Sequence, residues 1–532
     1  MKFSRKVPIA AAAVLVLGLT ACSAGTSDTS TASVDGGTIV YAAGEPDHLS
    51  PGRQLVAFDQ VMSLFAPLVS LDEENAITYV QAESVESDDA TNWTITLRPD
   101  WTFSNGEPVT AQSYVDAWNY TAYGPNTWEN SGELAAIVGY DDLNPEKGDP
   151  TTDTMSGLVV VDDLTFTVEL DHADSQFPLQ LSQAQTGFYP MPEAAYDDID
   201  AYDRQPIGNG PFKMDDAWVD NEEFTVSANE DYAGDAPTLD AITFRPYADM
   251  NTAYTDALAG NVDVVYLPAS KMTSAEADFG DHLYAFDAPG IDYLGFPLWD
   301  DRYSDKRVRQ AISMSIDRDA VNTAIFGGLY EPATALTPPA MAGTPEGICG
   351  EYCEFDADAA KALLADAGGF DGTMELVYPG GNGLDGLYEA YANQIRQNLG
   401  VDAVAVPTTD WAEYYQTLVD STVAGPHFGH WGALYQSQQN TLRSLFTTAG
   451  GCSLCTGNYS EPEVDDLLDA ADAALTQEDA EAAYVKVQER VLEDFPIVPT
   501  FFDKYAYVTS TKIATLPQLS GSPVLSKITV TE

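Results

Sequence analysis

LDAITFRPYADMNTAYTDALAGNVDVVYLP, residues 239 to 268, reads as a strand, a helix stopped by Gly260 and a second strand, all within about thirty residues. A unit of that grammar and length is the signature of an α/β domain. Outward from it the same alternation continues. GTIVYAA (37–43) reads as a strand, and NWTITLRPDWTF puts Trp93, Ile95 and Leu97 on one face before a turn at Ser104, Asn105 and Gly106. LTFTVEL (164–170) alternates in the same way.

From Ser304 the pattern turns helical, running from a Ser/Asp start through Val308, Ala311, Ile312 and Ser315 to a stop at Gly327-Gly328. DADAAKALLADAGG, EPEVDDLLDAADAAL and QEDAEAAYVKVQERVLEDFP repeat that grammar, and in TDWAEYYQTLVDS Asp410 is placed to cap and Glu413 to complete a capping box. HWGALYQ (430–436), read as a strand, turns Trp431, Ala433 and Tyr435 to one side and Gly432 and Leu434 to the other. No repeat period is visible. The expected class is α/β throughout, with a more helical second half.

With 532 residues and 45% hydrophobic content the chain can bury large cores, and its length suggests two to four domains. Acidic residues outnumber basic ones 83 to 23, for a formal charge of −60, so nucleic acid and polybasic membrane docking are excluded as partners. The charge reads as a solvated surface, because 11% aromatics and clear periodicity do not fit a disordered acidic chain.

Residues 1–21 carry Lys2, Arg5 and Lys6 before VPIAAAAVLVLGLTA, which is too short to span a membrane and right for the core of a signal peptide. LTAC (19–22) resembles the bacterial lipobox, which implies acylation of Cys22. The Ser/Thr/Gly-rich residues 22–36 read as a flexible tether. The expected location is the outer face of the cytoplasmic membrane, held there by lipid alone.

The other cysteines stand as Cys349-x3-Cys353 and Cys452-x2-Cys455. In the cytosol two such pairs would suggest a four-thiolate zinc site, whereas export favours disulfides. Four cysteines allow three pairings, of which two local bridges, Cys349–Cys353 and Cys452–Cys455, are expected. No helix start or basic neighbour marks Cys452 and Cys455 as a redox pair.

Gly381, Gly383 and Gly386 form a G-x-G-x-x-G between TMELVYP and a helical run, with Asp410 downstream where a ribose contact would fall. Tyr378-Pro379-Gly380 separates the strand from the glycines, so the run reads as an ordinary strand-to-helix loop. No zinc-protease, Walker or nucleophile-elbow motif occurs. The five histidines form no ligand cluster, although His427 and His430 stand close enough in sequence to suggest a metal. No catalytic residue, metal or cofactor is expected, and the chain reads as a non-enzyme.

ITLRPDWTFSNGEPVTAQSYVDAWNY (95–120), FYPMPEAAYDDIDAYDRQPIGNGPFKM (188–214) and SDKRVRQAISMSIDRDAV (304–321) resemble the oligopeptide-binding proteins of bacterial ABC importers, the family 5 solute-binding proteins. DADAAKALLADAGG and YSEPEVDDLLDAADAAL continue the likeness in order, and AWNYTAYGPN is most similar to actinobacterial members. The resemblance implies a two-lobed, periplasmic-binding-protein-like fold of type II with an extra domain and mixed sheets flanked by helices. Lobe I would comprise 37–68, 206–294 and 497–532, the extra domain 69–205, and lobe II 295–496. PIGNGPF (206–212) would be a rigid crossover. The implied function is capture of an extended oligopeptide between the lobes, by a monomer that delivers it to an ABC permease.

The resemblance also places Trp431, Gly432, Ala433, Leu434 and Tyr435 in the cleft. Many relatives carry an acid at the position of Leu434 that takes the peptide's α-amino group. Leu434 offers only apolar area there. The implied ligand is therefore longer than the cleft, blocked, differently registered, or a non-peptide solute such as an oligosaccharide or metal chelate. Matching positions add Gly44 and Glu45, Trp128, Tyr293 and Phe296, and Phe501 with Phe502, Glu45 being a carboxylate that would replace the missing one. An exported hydrolase and a zinc-dependent structural protein are the rival classes.

Overall fold

The computed structural model describes residues 33–72, 75–183, 187–448 and 453–531. The signal segment 1–21, Cys22, the tether up to residue 32 and Cys452 lie outside the described residues. Among the described residues no helix is long and apolar enough to cross a membrane.

The 239–268 stretch folds as strand Ala241–Pro246, helix Met250–Leu258 and strand Val264–Tyr266. Asp249 caps the helix by accepting from Asn251 N, and Gly260, at φ +76°, ends it in the left-handed region that glycine enters without strain. The two strands are not neighbours. Thr38–Ala43 lies between them, parallel to both, so the N-terminal strand completes the crossover unit from two hundred residues upstream.

These strands belong to an 11-stranded mixed sheet. Its path runs 403–407, 374–378, 427–432, 283–295, 497–509, 264–266, 38–43, 241–246, 224–228 and 212–214, and the short strand Glu331–Pro332 pairs beside 497–509. Two strands of 13 residues each, Leu283–Gly295 and Ile497–Thr509, occupy its middle and pair antiparallel with each other. Strand 497–509 pairs at one end with 264–266, and 283–295 pairs along its other side with 427–432, so both halves of the sheet hang on these two long strands. A separate four-stranded antiparallel sheet, 82–86, 92–97, 165–169 and 158–162, stands inside the segment expected as an extra domain. Trp93, Ile95 and Leu97 are buried on one face, as their alternation requires.

Around the sheet, one apolar core joins the N-terminal strand, the four-stranded sheet and the C-terminal tail. A second packs helices 306–314, 357–366 and 385–399 against the sheet, and a third gathers helices 438–446, 462–472 and 477–494. Asn209 ties the crossover at 206–212 to the end of helix Phe58–Leu64, accepting from Ala66 N at 3.1 Å and donating to Gln81 Oε1 at 2.7 Å. A Cβ on Gly208 would lie 1.9 Å from the Leu64 carbonyl oxygen, so only glycine fits that approach.

Three local expectations are corrected. The helical passage from 304 breaks into Lys306–Met314 and Arg318–Val321, followed by one wide turn over Asn322–Phe326. The break comes at Asp317, which recaps the chain by accepting from Ala320 N at 2.9 Å. It turns Arg318 into the interior, where its guanidinium donates to the Pro499 carbonyl oxygen at 2.7 and 3.0 Å. The expected tether gives way at Ser33–Val34, which pair with Thr531 and Val530. The strand at HWGALYQ ends at Gly432, and residues 433–437 turn into helix Gln438–Phe446. Asp410 caps helix Trp411–Val419 as expected, accepting from Glu413 N at 2.9 Å, whereas Glu413 reaches one residue past the cap to accept from Thr409 N at 2.6 Å and does not close the box on Asp410 N.

Candidate functional site

The long strands slip twice where they cross the middle of the sheet. Between the Asp287–Lys504 and Ile291–Phe502 pairs, three residues, Ala288, Pro289 and Gly290, face the single residue Asp503. Such a bulge bends the strand and re-aims its side chains. Gly290 makes room for the carboxylate, since a Cβ there would lie 2.2 Å from Asp503 Oδ2. At the second slip, where Thr500 is the extra residue, its Oγ1 donates to the Asp292 carbonyl at 2.8 Å.

This irregularity brings three charged groups together from three adjacent strands. Asp292 pairs in register with His430 of strand 427–432, and Asp503 stands on the other side. One donor atom from each lies within 4.8 Å of the other two. His430 Nε2 and Asp503 Oδ2 are 2.8 Å apart, whereas Asp503 Oδ1 is buried with no partner. Among the described residues no Lys or Arg pairs with Asp292 or Asp503. The neighbouring Lys504 turns instead to Asp287 and Glu331.

Burial and the adjacent Asp503 charge raise the Asp292 carboxyl above its ordinary range. At His430 burial opposes protonation, but the Asp503 carboxylate overrides it and holds the ring up at about 9. The imidazole side chain keeps 41% of its exposure, so the cluster opens to water on that side while Asp503 is 6% exposed.

The expected cleft residues divide into two groups. Trp431 and Gly432 sit on the strand beside the bulge, partly exposed, and Ala433 N donates to the Pro289 carbonyl at 2.9 Å. Leu434 is partly exposed as well. Tyr435 is buried against Leu71 and Leu179, and its hydroxyl donates to Gln439 Oε1 at 2.7 Å. Gln439 continues to Asp174 Oδ1 at 2.8 Å, and Ser437 donates to Gln176 Oε1 at 2.8 Å, forming a buried polar seam with the 174–183 segment.

Tyr293, Phe296 and Phe501 are packed in the cores, at 2%, 0% and 0% exposure. Phe501 meets the Phe326 ring at 5.2 Å, and Phe502 is buried beside Ile291 and Tyr293. Trp128 is buried against Tyr120, ring centres 5.0 Å apart, with Gly52 against its indole. Gly44 is exposed. Glu45 is committed elsewhere, its Oε1 accepting from Trp218 Nε1 at 3.1 Å and Asn221 N at 2.9 Å. The bulge thus gathers Trp431, Gly432 and Ala433, and leaves Glu45 and Trp128 to other contacts. A concavity of ≈ 800 Å³, lined by Phe65, Arg98, Trp101, Tyr232 and Leu519 among others, lies away from the bulge and contains none of the residues selected from the sequence.

Cys349 and Cys353 are joined by a disulfide, Cα atoms 5.7 Å apart, which removes two of the thiolates a zinc site would need. Cys455 is also disulfide-bonded, and Cys452 lies outside the described residues. Asp292 and Asp503 escaped the sequence reading. Their one signal was an acid set within an otherwise apolar strand, in GIDYLGF and PTFFDKY.

The family model for bacterial extracellular solute-binding proteins, family 5, matches residues 77–452. The periplasmic murein peptide-binding protein MppA of Escherichia coli (strain K12) is 28% identical over 90% of this chain and 89% of its own length. The periplasmic oligopeptide-binding protein OppA of the same organism is 27% identical over 79% of this chain and 78% of its own. The unliganded open form of MppA superposes with a TM-score of 0.82 at 24% identity, covering 94% of this chain and 99% of that one, which shows the fold.

Proposed function

This chain belongs to the bacterial extracellular solute-binding proteins of family 5, and from that premise we propose that it captures oligopeptides in a cleft and delivers them unchanged to an ABC import permease. The observation that carries the reading is the pair of 13-residue strands, 283–295 and 497–509, that crosses the middle of the sheet and bulges beside Trp431 and Gly432. Two irregular strands joining the halves of one sheet form a hinge, because a bulge absorbs backbone rotation without tearing the ladder. The boundaries proposed between the lobes, at 294 and 496, lie at one end of this strand pair, and those at 68 and 205 set off the proposed extra domain. Relatives named for murein peptide and oligopeptide binding support the solute class.

The cleft wall we propose comprises Trp431, Gly432, Ala433 and Leu434, with Gly44 at the opposing edge. Ligand binding shifts the population toward a closed form that the permease reads. Leu434 favours one second reading, a blocked peptide or non-peptide solute, because a free ammonium finds no carboxylate at that position. The LTAC motif supports lipid anchoring through Cys22 at the outer face of the cytoplasmic membrane. Native mass spectrometry of the purified protein is the test: a copurified peptide that a defined peptide competes away is expected. A protein that binds no peptide from a diverse library, or that converts one to product, rules the proposal out. Release of a Cys22→Ala variant from the membrane fraction tests the anchor.

A further inference from the structure

We infer that Asp292, His430 and Asp503 form a binding site for one divalent transition cation of the zinc class. The inference stands on the geometry of the three strands and not on the receptor reading. A single imidazole N–H satisfies one carboxylate lone pair. Here it reaches Asp503 Oδ2 at 2.8 Å and leaves Oδ1 of the same 94%-buried residue with no donor. No hydrogen bond reaches the Asp292 carboxylate among the described residues either, and the adjacent Lys504 points to Asp287 and Glu331. Two carboxylates gathered by a bulge, one of them buried, and supplied with one imidazole between them are short of positive charge and of donors. A cation supplies the charge and takes the unused carboxylate lone pairs, and as a His430 ring nitrogen becomes a ligand its proton leaves to solvent.

The donor set selects the kind of ion. Mixed imidazole nitrogen and carboxylate oxygen suits Zn²⁺ and its first-row neighbours, whereas Mg²⁺ and Ca²⁺ prefer oxygen alone. Such an ion sits about 2 Å from each donor, which sets the donors roughly 3.4 Å apart. The three donor atoms already lie within 4.8 Å of one another, so rotation of the side chains closes the cage. The 41% exposure of the His430 side chain leaves an access path and an open side for water or a ligand oxygen. Because the donors stand on strands 283–295, 427–432 and 497–509, a bound ion cross-links the three strands at their bulge.

The test is titration of the chelator-stripped full chain with ZnCl₂ by calorimetry, with MgCl₂ as control and thermal melting in parallel. One saturable equivalent of Zn²⁺, an upward melting shift absent with Mg²⁺, and a loss of affinity of about tenfold or more in Asp503→Asn and His430→Gln are expected. Asp287→Asn, on the same bulge but paired with Lys504, retains the site. If Asp503→Asn does not fold, His430→Gln, at a partly exposed position, decides. The inference is overturned if the parent shows only weak, multi-equivalent uptake by its acidic surface, or if Asp503→Asn and His430→Gln bind as the parent does.

Discussion

The indole N–H of Trp431 donates to Asn440 Oδ1 at 3.1 Å, and the same oxygen accepts the backbone N–H of Leu434 at 3.2 Å. One amide therefore fixes both the last aromatic of the strand and the turn that carries the chain away from the sheet. Through that shared acceptor, helix 438–446 sets the shape of the proposed cleft wall.

Replacing Trp431 by Ala removes aromatic area from that wall, and ligand affinity is expected to fall about tenfold or more. Asn440→Ala leaves the ring in place but frees its orientation, so a smaller loss is expected. Calorimetry with the copurified ligand measures both. A Trp431→Ala protein that binds as tightly as the parent would refute this placement of the cleft.

Leu434→Asp restores a carboxylate at a partly exposed position, where water limits the desolvation penalty. Preference for peptides with a free N-terminus over N-acetylated ones is expected to rise by about 1 kcal/mol or more, a factor of at least five. Competition between a free and an acetylated peptide of one sequence reads the difference. Equal competition in parent and variant shows that the ligand's end does not reach residue 434.

Arg318 is 3% exposed and its bonds all go to uncharged oxygens, two of them to the Pro499 carbonyl. Burial pulls its guanidinium down to about 10, so it stays charged at neutral pH. Arg318→Met strands those carbonyls and is expected to destabilise the fold by on the order of 3 kcal/mol. Lysine lacks the forked geometry and is not expected to rescue it. Denaturant melts showing a change under 1 kcal/mol would sink this account.

Gly208→Ala drives a methyl group to 1.9 Å from the Leu64 carbonyl oxygen. The obstacle is backbone, so neither partner can swing aside, and a loss of at least 2 kcal/mol is expected. A variant melting within a degree of the parent would mean that the crossover is looser than its geometry.

His427 is fully buried, and burial lowers its ring to about 4. A free histidine titrates near 6.5, so above that pH both folded and unfolded chains hold it neutral and it adds no pH dependence. Between about 6.5 and 4 the unfolded chain takes the proton first, so stability falls as pH falls through this window, by up to ~3 kcal/mol. His427→Asn is expected to flatten that part of the profile while the carboxylate contribution stays common to both proteins. Parallel urea midpoints for parent and variant from pH 7.5 to 4.5 would contradict it.

Much of the fold was legible because its signals are local. The cap at Asp410, the stop at Gly260 and the alternation of Trp93, Ile95 and Leu97 act over a few residues, and each formed where the sequence placed it. The break at Asp317 was less legible, because periodicity continues through it while the buried carbonyl that draws in Arg318 comes from Pro499.

The candidate site was least legible. Aromatics chosen from matching positions, Tyr293, Phe296 and Phe501, went to the cores, while the acids Asp292 and Asp503 went to the bulge. The sequence by itself determined the family, the crossover unit and the caps and stops of the helices it marked, because periodicity and capping are written within one turn or one strand. Only the tertiary structure decided that Thr38–Ala43 enters between 241–246 and 264–266, and that Asp292, His430 and Asp503 meet. Strand order and register are set by pairing between distant segments, and a slip of one residue turns a side chain to the opposite face.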